Sequence, residues 1–476
     1  MIGQATFPKL RYSQRQPLMP QAIAVPKFAC HRRLCLLAFL MLMGLVVLPG
    51  YGQSPAPIRV ATFNVSLYGE RPGEVLKRLR TGSDRQAQHL AEIIQRVRPE
   101  IILLNEIDYD PAGEVLSVFH DKYLAVGQHA SNSPDGPARP IDFPHRFAAP
   151  VNTGKHSGFD LSGDGVVDST PGTDGYAADC WGFGRYAGQY GMAILSKHRI
   201  DRDAVRTFQN FLWKDMPEAR LPDNPETPAA NDWYSAEATA QFPLSSKSHW
   251  DVPILIDGKR VHLLASHPTP PVFDGSEDRN GRRNHDENRF WADYVGMAGE
   301  GGEAITRSDT QREPYIYDDA GKEAHLAPNE SFIILGDLNS DPEDGDGPEG
   351  IRQLLASPRP LKYPPPSSEG AAEQSRLQGG ANTRHRGNPR QDTSDPADDP
   401  GPGNLRIDYV LPSAELSVRG SGVFWPAAND PLFPLVGVHP FPSSDHRLVW
   451  VDLVVSGQQS AVSDQPEPGE PGPADR

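Results

Sequence analysis

The chain has 476 residues, with 46 Lys and Arg against 62 Asp and Glu and a formal net charge of -16. Six of the bases and no acid fall within residues 1–52, leaving 40 against 62 for the rest, which repels polyanions and excludes a broad electrostatic footprint for nucleic acid. The length exceeds that at which single cores usually stop growing, so it allows either two domains or one domain with long insertions.

In chain order, the first element is Leu34 to Leu48, apolar almost throughout, preceded by Arg32 and Arg33 and followed by Pro49 and Gly50. Its 15 residues are short for a membrane span and suit the core of a signal peptide. Residues 1–52 are therefore expected to direct export, with cleavage near Gln53 and a secreted or periplasmic product that keeps no membrane span. An uncleaved anchor is the alternative, and Met19 is a second candidate start. Cys30 and Cys35 precede or lie in the apolar run, so Cys180 stands alone in the mature chain and is read as a packed small hydrophobe.

Six apolar runs follow, each ending in or next to a polar residue: RVATFN to Asn64, IILLNE to Glu106, LLASH to His267, ILGDLN with Asp337 and Asn339, RIDYV with Asp408, and SDH with Asp445 and His446. Each has the length of a buried strand and ends where a loop begins, the place where α/β folds collect their active sites. Between the first two, Asp84 to Arg98 sets Ala87, Leu90, Ile94 and Val97 at helical spacing before Pro99 stops it. This alternation predicts an α/β layered sandwich.

The runs span nearly the whole length, which favours one domain over 53–456. Its polar insertions lie near 127–189, 214–247, 274–331 and 357–404. The last is Pro-rich and charged and is expected to be flexible, as is a disordered tail over 457–476.

Asn64, Glu106, Asp337, Asn339, Asp408 and Asp445 offer only oxygen and amide ligands, with His267 and His446 beside them. Hard oxygen donors suit Mg²⁺ or Mn²⁺, whereas zinc favours closely spaced His and Cys. A site of this kind performs phosphoryl chemistry, with the cation on a phosphate oxygen and a carboxylate activating water.

The order FN, NE, ILS, SH, GDLN, RIDYV, SDH resembles the endonuclease/exonuclease/phosphatase superfamily over residues 57 to 455 outside the insertions, with GDLN and SDH the most specific parts. The resemblance implies a four-layered sandwich of two packed mixed sheets flanked by helices. It further implies Glu106 as principal metal ligand helped by Asn64 and Asp445, and Asp337 as water-activating carboxylate. Asn339 would orient the phosphate, His446 would pair with Asp408 and stabilise charge or donate a proton, and His267 would contact phosphate. The implied activity is hydrolysis of a phosphodiester or phosphomonoester, small molecule or nucleic acid, by a monomer. An extracellular nuclease is the near alternative. A non-catalytic binding protein on the same scaffold is the distant one.

Three further signals carry two readings each. Asp160, Ser162, Asp164, Gly165 and Asp168 match positions of a calcium loop, although Pro171 stands where its bidentate Glu belongs; the other reading is a Gly and Asp turn cluster. Arg282, Arg283, Asn284 and Arg289 suit either a lid that reads phosphate or a helix face paired internally with Asp286 and Glu287. Trp213, Trp233, Trp250 and Trp291 suit stacking on a substrate or, the preferred reading, small cores within the insertions.

Overall fold

The computed structural model describes residues 56–296, 315–323, 325–396 and 401–455. The expected leader over 1–52 and the tail over 457–476 lie outside the described residues.

Two six-stranded mixed sheets form the body. In the first, β1 (Ile58–Leu67) runs parallel to β2 (Ile101–Ile107) and antiparallel to β12 (Val449–Val454), which is flanked by β11 (Ser417–Val423). Beyond β2 lie β4 (Met192–Ser196) and the short β3 (His145–Phe147). The second sheet is built on the hairpin of β7 (Trp250–Ile256) and β8 (Lys259–Ala265). There β9 (Ser331–Asp337) runs parallel to β8 and carries β10 (Asp408–Pro412) on its far side, while β5 (Arg199–Ile200) and β6 (Arg206–Thr207) both border β7.

The parallel β1–β2 pair requires a crossover, supplied by α1 (Glu74–Arg80) and α2 (Arg85–Val97). Asp84 starts α2 by accepting the Ala87 amide at 2.9 Å, and Ala87, Leu90, Ile94 and Val97 are all buried, as their spacing predicts. The core between the sheets joins Phe63 of β1, Leu103 of β2 and Val451 of β12 to Val252, Leu263, Ile333 and Leu335 of the second sheet. These strands read as unbroken apolar runs because they are covered on both faces.

A second core covers the other face of the second sheet, where Leu264 and Ile334 meet Phe290, Trp291 and Tyr294 of α6 (Arg279–Tyr294). The insertions add Phe208, Phe211, Trp213 and Phe242, and α7 (Glu349–Ala356) adds Ile351 and Leu354. Trp213 and Trp291 belong to this second core and Trp250 to the first, as the preferred reading expects, while Trp233 is half-buried. The shorter helices α3 (Glu114–Phe119), α4 (Asp174–Ala178) and α5 (Ala236–Thr239) sit in the connections.

The fourth insertion departs from its expected flexibility. It forms α8 (Glu369–Gln378), capped by Ser368, whose hydroxyl accepts the Ala371 amide at 3.0 Å. Ala371 is buried, and a Cβ on Gly370 would lie 2.0 Å from the Trp425 carbonyl, so the helix docks through a glycine that lets two backbones approach. Among the described residues no helix is long and apolar enough to cross a membrane.

Candidate active site

The ends of β1, β2, β8, β9 and β10 place six of the eight predicted residues at one end of both sheets, and the SDH segment before β12 brings the other two. Asp337, the last residue of β9, is at the centre and only 1 % exposed. Its Oδ2 accepts the Asn64 side-chain amide at 3.0 Å and lies 3.3 Å from His267 Nε2 and 3.7 Å from His446 Nε2. Its Oδ1 accepts the backbone amide of Asn339 at 3.0 Å. Burial alone would raise the Asp337 pKa, but His446, His267 and Asn64 outweigh it and hold the carboxylate far below the usual range.

His446 is oriented from behind. Its Nδ1 lies 3.0 Å from Asp408 Oδ2, which also accepts the Thr393 hydroxyl at 2.8 Å. Burial disfavours the imidazolium, yet the charges of Asp408 and Asp337 raise the His446 pKa well above 6.5. His267 moves the other way, lowered by burial and by the charge of Lys247, so it is read as a neutral ring donating from Nε2 to Asp337.

Glu106 ends this series on β2 at φ 57, a left-handed conformation rare for a non-glycine residue. Ser66 (φ 44) and Asn339 (φ 51) share it, so three strained positions border one site. Among the described residues the Glu106 carboxylate makes no hydrogen bond, and its Oε1 lies 3.8 Å from His267 Nε2. With His267 and Asp337 it forms a group whose ligand atoms all lie within 4.8 Å of one another. Two carboxylates in one group, one without a donor, fit a hard divalent cation. A second such group, Asp337, Asp408 and His446, is already tied internally by the Asp408 to His446 bond.

Residues 61–446 match the sequence profile of the Endonuclease/Exonuclease/phosphatase family. The chain belongs to that family. Among solved structures it is similar to an endonuclease/exonuclease/phosphatase from Beutenbergia cavernae DSM 12333 at 15 % identity, covering 85 % of this chain and 72 % of that one with a TM-score of 0.42. It is also similar to a family protein from Bacteroides thetaiotaomicron (12 % identity, 83 % and 94 % coverage, TM-score 0.39). A third is sphingomyelinase C from Streptomyces griseocarneus (13 % identity, 84 % and 99 % coverage, TM-score 0.38). No curated protein matches the chain. Membership places the protein among phosphoester hydrolases whose site holds groups suited to a divalent cation.

Two residues expected as metal ligands have other partners in the family member described here. Asn64 is fully buried, with its amide on Asp337 and its oxygen accepting the Ser66 backbone amide at 3.1 Å. Asp445 Oδ1 accepts the Ser66 hydroxyl at 3.1 Å, and its charge reaches both His446 and Tyr68. Asn339 turns its amide to the Pro268 carbonyl at 3.0 Å, leaving its side-chain oxygen without a protein donor among the described residues.

For two signals that carried two readings, the geometry favours one. Asp160, Asp164 and Asp168 are not among the groups of described residues whose ligand atoms lie within 4.8 Å of one another. Asp160 accepts from Ser162 and from the amides of Gly163 and Gly165, Asp164 accepts the Val166 amide, and Asp168 accepts from Thr170 and Thr173, so each carboxylate closes its own turn. The arginines of α6 form no phosphate-reading lid. Arg283 is buried and donates to the carbonyls of Leu244 and Pro243, Arg282 donates to Leu221, and Arg289 to Pro217, so together they fasten the second insertion.

Some functional contacts were missed in the sequence. Asn105, adjacent to Glu106, accepts the Asp337 amide at 3.3 Å and donates to the Ser266 carbonyl at 3.4 Å, tying the sheets together. It lies within IILLNE, where the strand-end pattern points to Glu106 instead. Thr393 sits in the polar insertion, where no local pattern marks it. Gly336 explains the G of GDLN: at φ 149, a Cβ there would lie 2.1 Å from the Ser266 carbonyl.

Proposed function

We propose that the protein is an exported phosphoester hydrolase dependent on Mg²⁺ or Mn²⁺, acting on a small soluble phosphoester in preference to long DNA. The observation that carries the chemistry is Asp337, ionised between His267, His446 and Asn64 and beside the donor-free carboxylate of Glu106. The net charge of -16 supports the substrate preference, because an acidic surface repels a long polyanion and tolerates a small one.

A cation held by Glu106 with its neighbours would supply positive charge to a phosphoryl oxygen and to the leaving oxygen. The chain's own groups do the rest. Ionised Asp337 accepts a hydrogen bond from the attacking water and aligns it. Water becomes strongly acidic as its oxygen bonds to phosphorus, so even a weakly basic carboxylate then takes the proton. Protonated His446, held by Asp408, offers charge to the phosphoryl oxygens and gives its proton to the departing oxygen as the ester P–O bond breaks. Asp337 Oδ2 and His446 Nε2 lie 3.7 Å apart, close enough for the proton to return to the imidazole and reset the site.

The test is a hydrolysis screen of the mature protein with Mg²⁺, Mn²⁺ and Ca²⁺ against bis-aryl phosphodiester, sugar phosphates, inositol phosphates, sphingomyelin, RNA and plasmid DNA. Turnover of a small phosphoester with Mg²⁺ or Mn²⁺ is expected. Faster cleavage of DNA than of every small ester would replace the substrate assignment with a nuclease. No turnover on any substrate with any metal would leave a binding protein.

A further inference from the structure

The β7–β8 ladder ends at Trp250 opposite Ala265, and continuing the register sets Ser246 opposite Thr269 and Lys247 opposite Pro268. The strands do not simply fray there. Glu287 of α6 inserts its carboxylate where the next backbone bonds would be, accepting the Ser246 amide at 2.7 Å and the Thr269 amide at 2.6 Å. Asn152 holds the other edge, donating its side-chain amide to the Ser245 carbonyl at 2.9 Å and its backbone amide to the Lys247 carbonyl at 2.9 Å. Pro268, the register partner of Lys247, accepts the Asn339 side chain at 3.0 Å. Lys247 is therefore fixed in backbone position beside the segment that carries His267 and two strands from Asp337.

Its side chain is only 6 % exposed, and among the described residues its ammonium makes no hydrogen bond and no ion pair. The charges that act on it are Glu287, Glu106 and Asp337, opposed by Arg283. Glu287 uses its carboxylate on the Ser246 and Thr269 amides and forms no ion pair with Lys247 among the described residues. An ammonium on a largely buried stem with no protein acceptor is costly to keep, and a methionine of similar length would fill the space at lower cost. An anionic oxygen brought beside Glu106 and Asp337, the carboxylates whose charges reach it, would satisfy it.

Resting on the phosphoester reading of this site, the structure assigns Lys247 as a substrate-binding residue that contacts a non-bridging oxygen of the phosphoryl group. An ammonium on a flexible stem suits this task, serving phosphate as a point charge where arginine would demand a planar fit. Burial lowers its pKa against the pull of the three carboxylates, and an arriving phosphate adds to that pull.

The test is direct binding of inorganic phosphate to the mature protein in Mg²⁺, by calorimetry, for wild type, Lys247→Met and Lys247→Gln, with Mn²⁺ affinity measured separately. Phosphate affinity should fall at least about tenfold in both variants, the scale of a lost charge-assisted hydrogen bond. Mn²⁺ affinity should stay equal or tighten, since a positive charge has left the acidic group. Lys247→Gln keeps a polar head on a slightly shorter stem if the methionine variant fails to fold. Unchanged phosphate affinity in a folded variant, or no phosphate binding by wild type, overturns the assignment. So does a parallel loss of Mn²⁺ affinity, which would make Lys247 an organiser of the carboxylates. If phosphate binding depends on Lys247 while no ester is hydrolysed, the assignment stands and the hydrolase reading falls.

Discussion

Asn64 at the end of β1 donates its side-chain amide to Asp337 Oδ2 at the end of β9, 3.0 Å away, so one hydrogen bond joins the two sheets at the reacting carboxylate. Asn64→Asp would replace that donor with a like charge. The Asp337 pKa should rise, and the acid limb of the pH–rate profile should move to higher pH. Activity at neutral pH should drop by at least about tenfold as the favourable hydrogen bond to the charged group is lost. An acid limb that stays in place would show that Asp337 does not set it.

How far the sequence led can be seen from the same pair. Both residues were legible, because each ends an apolar run whose length marks a buried strand. Their contact was not, since 273 residues separate them and hydrophobic periodicity carries no information about which strands share an end. Asp408 and His446 were legible as a pair only through the resemblance of RIDYV and SDH to the family. Thr393 and Lys247 were illegible for a plainer reason. Each lies in an irregular segment and owes its place to long-range hydrogen bonds, from Asp408 in one case and from Asn152 and Glu287 around the other. The arginines of α6 kept two readings because composition alone cannot distinguish a guanidinium that faces a ligand from one that holds a backbone carbonyl.

Glu106 and Asp337 within one group of ligand atoms are mutually repulsive without a cation. Chelation should therefore lower the melting temperature of the wild type, because a cation bound only by the folded state stabilises it by linkage. Glu106→Gln should lower Mn²⁺ affinity and turnover by orders of magnitude and should abolish the effect of chelator on melting. Equal melting of wild type with Mg²⁺ and with chelator would count against a metal at this group.

Arg283 distinguishes a fastening role for the α6 arginines from a phosphate-reading one. It is buried and bonded to the carbonyls of Leu244 and Pro243, so Arg283→Ala should cost about 2–4 kcal/mol of stability through lost bonds and packing. KM for a small phosphoester should stay within about twofold at a temperature where the variant is folded. A large rise in KM with unchanged stability would restore the lid.

Asp108 gives a stability signature separate from catalysis. Burial pushes its pKa up to about 7, against the hydrogen bonds from Tyr186 and the Gly69 backbone. A carboxyl raised in the folded state binds its proton more tightly there, so its contribution is full below about pH 4 and is lost as pH rises through about 7. Wild-type stability measured by denaturant should thus fall between about pH 4 and about pH 7 and level off above it. Asp108→Asn keeps an acceptor for Tyr186 and should flatten that decline. The same slope in both proteins would place the titrating group elsewhere.

The Asp408–His446 pair makes the sharpest claim. His446 Nδ1 lies 3.0 Å from Asp408 Oδ2, and the charges of Asp408 and Asp337 raise its pKa well above 6.5 despite burial. The protonated form needed for hydrolysis is therefore present at neutral pH and is lost as pH rises through the raised pKa, which sets the alkaline limb of the rate profile. Asp408→Asn removes the largest of the charges that raise it, so that limb should move to lower pH while Asp337 keeps the acid limb where it was. Asp408 lies outside the Glu106, His267 and Asp337 group, so Mn²⁺ affinity should be nearly unchanged. His446→Ala should lose the alkaline limb altogether and at least about a hundredfold in kcat, the usual scale for a general acid or transition-state donor. If Asp408→Asn instead abolishes Mn²⁺ binding and leaves the alkaline limb unmoved, Asp408 is a metal ligand, and the 3.0 Å contact with His446 is a consequence of shared coordination and does not orient the imidazole.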